Sequence, residues 1–113
     1  MRLWGAQMIL NGIPASEGEF KGIIRVYSKE KKFNQKHILA AISTTPEMAA
    51  EILSVGAVLT ESGGLLSHAA IFCREIKKPC IVGVKCLLEK VSDGMIVKVN
   101  GKKGVIEIIS NER

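Results

Sequence analysis

Between Gly56 and Val84 the chain reads GAVLTESGGLLSHAAIFCREIKKPCIVGV, a strand, a loop, a helix stopped by proline, and a second strand. GAVLT (56–60) is short and almost wholly apolar, the pattern of a central strand covered on both faces. From His68 to Lys78, Ile71, Phe72 and Ile76 recur at a helix-compatible spacing. Lys77 and Lys78 suit the negative end of that helix, and Pro79 stops it. CIVGV (80–84) then returns as a strand. A chain with this unit at its centre is confined to a layered α/β architecture, with helices packed on a largely buried sheet.

The flanking segments extend the pattern. Residues 8–20 predict a strand followed by a loop, and GIIRVYS (22–28) predicts a second strand from its β-branched and aromatic content. KEKKFNQKH (29–37) reads as an exposed loop or hairpin tip, and ILAAIS (38–43) as a buried strand. Thr45 is placed to cap a helix that has Pro46 in its first position and runs to about Ser54. LLEKV (87–91) predicts one helical turn before the Asp93-Gly94 turn. MIVKV and GVIEII predict a hairpin joined by Asn100-Gly101-Lys102-Lys103. The order β-α-β-α-β plus hairpin strands predicts a single α/β domain over residues 1–113.

The formal charge of +5 permits an anionic partner. Lysines gather at 29–36, 77–78 and 102–103, in segments that read as solvated surface, and aromatic content of only 4% offers no base-stacking platform. Nucleic acid is therefore not the expected partner. Cys73, Cys80 and Cys86 form no CxxC pair, and their odd count argues for a reducing, cytoplasmic setting. With His68 they match no usual zinc spacing, so no metal is expected and Cys73 and Cys80 read as core packing. The N-terminus MRLWGAQMIL is broken by Gly5 and Gln7 and lacks a convincing cleavage site, which argues against a signal peptide. Nowhere do 18 apolar residues run together, so no membrane span is expected.

His68 concentrates the chemistry. Ser67 reads as the helix N-cap with His68 in the first turn, and Leu66 and Ile71 occupy hydrophobic-staple positions. Gly63 and Gly64 can take positive φ and let main chain approach a ligand. Loop and first-turn amides would then form an anion-binding concavity. A neutral imidazole beside it has a lone pair that can attack phosphorus. Arg74, six residues on, is a candidate to support the resulting anion, or equally to pair with Glu75 or Glu61. A histidine at a helix start after a Gly-Gly loop also describes an ordinary polar residue, and local physics leaves both readings open. His37 reads as an ordinary surface group.

The combination of Thr60, Gly63-Gly64, Ser67-His68-Ala69-Ala70-Ile71, Arg74-Glu75, Pro79 and Gly83 resembles the mobile phosphohistidine domain of phosphoenolpyruvate-utilising enzymes. That family includes phosphoenolpyruvate synthase, pyruvate phosphate dikinase and the first phosphotransfer protein of the sugar phosphotransferase system. Leu66-Ser67-His68 is similar to the Leu-Ser-His of another member, rifampicin phosphotransferase. GIPAS (12–16), TTPEM (44–48), DGMIV (93–97) and NGKKGVI (100–106) fall in the family's order, so the resemblance spans about nine-tenths of the chain. It implies the swivelling β/β/α fold, with His68 as the phosphorylated residue. Thr60, Gly63, Gly64, Ser67 and Arg74 would be its phosphate-binding support.

It also implies that this domain binds no cofactor itself. Magnesium and nucleotide belong to partners, a nucleotide-binding domain and a phosphoenolpyruvate- or pyruvate-binding barrel, expected on separate chains. Two positions depart from the pattern. Glu61 stands where Asp is common, and Leu66 stands where many relatives have Thr, so no hydroxyl is present there. The alternative reading is a non-catalytic swivelling subunit docked on a larger enzyme, as in aconitase-type swivelling domains; the retained His68 counts against it.

Overall fold

A computed structural model describes residues 8–110. Its architecture follows from strands whose two faces are both apolar. In β4 (His37–Ala41), Ile38 and Ala40 face one core while Leu39 and Ala41 face another. β5 (Ala57–Thr60) repeats the division, with Ala57 and Leu59 on one side and Val58 on the other. β6 (Cys80–Val82) does the same with Ile81 against Cys80 and Val82. These strands run parallel, continuing from β3 (Glu19–Val26), and form a middle layer with no wet face.

The second core is covered by helices. α1 (Ala49–Ser54) links β4 to β5 and α2 (His68–Glu75) links β5 to β6; Ile52, Ala69, Ala70 and Cys73 pack from them onto the sheet. The first core is covered by more sheet. β7 (Ile96–Asn100) and β8 (Val105–Ser110) pair antiparallel and bury Val97, Val99 and Ile106. Leu10 joins them from β1 (Met8–Asn11), and Leu87 from the short α3 (Leu87–Lys90). The layers are therefore β/β/α, as the family resemblance implies.

One continuous eight-stranded sheet makes both β layers, in the order β1-β8-β7-β3-β4-β5-β6-β2. The outermost strands β1 and β2 (Ile13–Ser16) are separated in sequence by Gly12 alone. The sheet must therefore curl until its edges meet, and the Gly12 N–H, donating to Gly104 O at 2.9 Å, extends the β1–β8 ladder up to that corner. Residues 8–20 accordingly hold two full strands and the start of a third, not one strand and a loop. The turn residues there are corners between strands.

Other boundaries differ for local reasons. Thr45 makes no side-chain cap, and the segment opens as a 3₁₀ turn over Pro46–Met48 before α1 begins. α2 ends at Glu75 rather than Lys78. Lys77 takes φ +58°, and the Lys77 and Lys78 N–H groups bond back to Arg74 O and Cys73 O, a Schellman close. Lys78 then turns away from its own helix, and its Nζ donates to the carbonyls of Ile52, Leu53 and Val55 at the end of α1. In the β7–β8 turn the positive φ falls on Gly104, not Gly101. Asn100 Oδ1 accepts from the Lys102 and Lys103 N–H groups. Gly101 is required for closeness instead, since a Cβ there would lie 2.1 Å from Ser16 O.

His37 is more than a surface group. It is half-buried against Phe33, ring centroids 6.1 Å apart and edge-on, and its Nδ1 accepts from Asn34 N–H at 3.0 Å. Burial, then the Arg25 charge, hold it below the ordinary imidazole value. Cys73 and Cys80 are buried where α2 meets β6. The N-terminal segment read against a signal peptide lies largely outside the described residues.

Candidate active site

The site is built where the parallel strands end. Beyond β5 the ladder continues for two residues, with Glu61 N–H on Ala41 O at 3.0 Å and Ser62 N–H on Ile42 O at 2.9 Å. The chain then leaves the sheet as loop 61–67, over the carboxyl ends of the strands, which is where α/β sheets open a crevice for ligands. Thr60 is buried and its hydroxyl donates to Ser62 O at 2.7 Å, fixing the loop's departure. Gly63 takes φ +105°, which a side chain would resist.

Ser67 closes the loop and opens α2. Its hydroxyl donates to Gly64 O at 2.8 Å and accepts, at 3.4 Å, from Ala70 N–H. His68 therefore enters the helix at a fixed angle. Its ring is half-buried and stacked on Phe72 one turn later, centroids 5.6 Å apart and planes 10° from parallel. Nδ1 lies 2.8 Å from Thr44 Oγ1, at the carboxyl end of β4. Stacking and hydrogen bond together hold the imidazole in one orientation, and Nε2 has no protein partner among the described residues.

Beside the ring is a small cavity of about 30 Å³ lined by Ser43, Thr44, Thr60, Ser62, Gly63 and Ser67. The N–H groups of Gly63, Gly64, His68 and Ala69 donate to no acceptor among the described residues, the last two as expected for the first turn of a helix. The Thr60, Ser62 and Ser67 hydroxyls already donate to the carbonyls of Ser62, Ile42 and Gly64, so the donors left for an anion are these main-chain amides. Among the described residues no three His, Cys, Asp or Glu side chains could share a metal ion. No helix there is long and apolar enough to cross a membrane.

Thr60, Gly63, Ser67 and His68 come together around this cavity; the other two expected site residues stand differently. Gly64 keeps negative φ and faces open space, so its conformational freedom is not used. Arg74 reaches neither the ring nor a carboxylate. Its guanidinium donates to Leu65 O at 2.7 Å and Ala15 O at 3.2 Å, tying the loop to β2. Glu61 accepts from Leu88 N–H at 3.0 Å and anchors the start of α3. The proposed staple does not form a covered contact, because Leu66 is 85% exposed and Ile71 41%. Thr44 and Phe72 are the neighbours of His68 that sequence reasoning missed. Their signals were the TTPEM block and the i, i+4 spacing.

Comparison with known proteins places this geometry in a family. The model of the PEP-utilising enzyme mobile domain matches residues 33–104. A probable phosphoenolpyruvate synthase from Archaeoglobus fulgidus is 37% identical over 103 residues, covering 88% of this chain and 14% of that protein. The chain thus spans about one-seventh of such a relative. Among solved structures, aconitase X from Thermococcus kodakaraensis aligns with TM-score 0.74 at 17% identity, over 91% of this chain and 99% of that one. A solution structure of Enzyme I aligns with TM-score 0.56 at 28% identity, over 70% and 32%. The chain belongs to the family of mobile domains of PEP-utilising enzymes.

Proposed function

We propose that this domain is a phosphoryl carrier that is phosphorylated on His68. The observation that carries the reading is the division of labour on the ring: Nδ1 is held by Thr44 at 2.8 Å while Nε2 has no protein partner among the described residues. If Nδ1 bears the proton and Thr44 Oγ1 accepts it, Nε2 keeps its lone pair. Nε2 attacks phosphorus, an N–P bond forms, and the P–O bond to the donor's leaving group breaks. The electron pair departs on the donor oxygen. No proton leaves the ring, which becomes cationic, and the Thr44 oxygen stabilises the charge through a stronger, charge-assisted bond. The phosphoryl oxygens meet the free main-chain amides at the start of α2 and in loop 61–67, and a second attack by an acceptor reverses the steps.

Ile42, Leu65 and Leu66 ring this opening with exposed apolar surface, which suits transient docking of partner domains. A nucleotide-binding domain and a phosphoenolpyruvate- or pyruvate-binding barrel would supply magnesium, nucleotide and the second substrate, and the relay would run in the cytoplasm. Incubation with phosphoenolpyruvate or ATP and a cognate partner should deposit acid-labile, alkali-stable phosphate. An unchanged signal in His68→Ala would refute the assignment. The aconitase X likeness favours, as a second reading, a swivelling subunit with no phosphoryl chemistry. It predicts co-purification with a dehydratase-like partner that does not depend on His68.

A further inference from the structure

At the far end of α2 from His68, a cleft of about 600 Å³ opens between β2, the helix end and the β7–β8 turn. It shares no lining residue with the histidine cavity, and its size is that of a small-molecule pocket. Pro14 and Ala15 supply an apolar floor, while Arg74, Lys77 and Lys102 bring three cations to the walls against the single carboxylate of Glu17. The ion pairs among the described residues are Lys31–Asp93 and Lys98–Glu19, so none of the three cations is neutralised by a carboxylate.

Capping does not explain them. The carbonyls of Phe72, Cys73 and Arg74 are already met by the main-chain N–H groups of residues 76–78. Lys77 stands at the C′ position, where φ > 0 normally selects glycine, yet it holds a side chain there at φ +58°. A non-glycine outlier of this kind, placed at a cationic cleft, points to use of its side chain.

We propose that this cleft binds a small organic polyanion, a molecule carrying phosphate or carboxylate groups on a compact body, and that Arg74 couples it to loop 61–67. Arg74 lines the cleft and its guanidinium holds Leu65 O, so an anion drawing on Arg74 changes the restraint on the loop beside His68. The site is independent of the phosphoryl-carrier reading.

The test is titration of the ¹⁵N-labelled full chain with pyrophosphate and, separately, citrate, followed by amide NMR. Saturable shifts are expected at Ser16, Lys77 and Lys102, with Leu66 moving on the same isotherm. Lys77→Gly should weaken binding about fivefold or more through loss of a charged contact while raising the urea midpoint, which separates lost affinity from lost fold. His68→Ala should bind as the parent does, although it cannot be phosphorylated. Shifts confined to loop 61–67, or spread evenly over Lys29–Lys36, would overturn the site, as would affinity unchanged in Lys77→Gly. A static Leu66 amide during saturation of the cleft would overturn the coupling.

Discussion

On the phosphoryl-carrier proposal, the contact of His68 with Thr44 sets which ring nitrogen is left to react. A hydrogen bond to a ring that becomes cationic is worth about 1.5–3 kcal/mol, which corresponds to about 10- to 100-fold in rate. Thr44→Val should therefore slow phosphorylation by about that factor while costing stability only about 1 kcal/mol. Thr44→Ser should restore the rate, and ¹⁵N shifts of the ring should show mixed tautomers in the valine variant alone. His68, Ser67 and Gly63 were legible in the sequence because their roles are local: a cap, a first turn, a positive φ. Thr44 was not, since it meets His68 across a separation of 24 residues and only the pairing of β4 with β5 brings them together. The contacts of Arg74 are hidden in the same way, its acceptors lying 59 and 9 residues away.

Among the elements, α1 and the β7–β8 turn show how distant contacts finish what local pattern begins. Lys78 caps α1 by donating to three carbonyls. Lys78→Ala should lower unfolding free energy by about 1–2 kcal/mol in urea titrations and leave phosphorylation of His68 unchanged. Gly101→Ala forces a Cβ onto Ser16 O and should cost about 2 kcal/mol or more, read as a fall in melting temperature. The parallel strands, α1 and α2 were readable from apolar runs and from the prolines at 46 and 79. β2 was not: its four residues look like a loop, and they become a strand only because β6 offers a free edge beside them.

For the molecule as a whole, Asp93 joins the layers, accepting from Val26 N–H at 2.7 Å and from Lys31 Nζ at 2.6 Å. Burial pushes its carboxyl up, but the Lys31 and Val26 hydrogen bonds and the charges of Lys31 and Arg25 outweigh it and hold the group below the usual carboxylate value. Its stabilisation is thus complete above the unfolded value near pH ~4 and is lost as pH falls through the depressed folded value. Asp93→Asn should cost about 1 kcal/mol at neutral pH, modest because the pair is partly exposed, and its deficit should vanish in acid unfolding curves. Leu66→Glu should impair transfer from a partner domain yet leave chemical phosphorylation by phosphoramidate intact, which locates docking at the rim and chemistry at the ring. The most direct measurement is heteronuclear NMR of the ¹⁵N-labelled chain after phosphoramidate treatment. Phosphorus is expected on Nε2 of His68 with Nδ1 still protonated; phosphorus on Nδ1, or an unmodified His68 ring while His37 reacts, would rule out the carrier proposal.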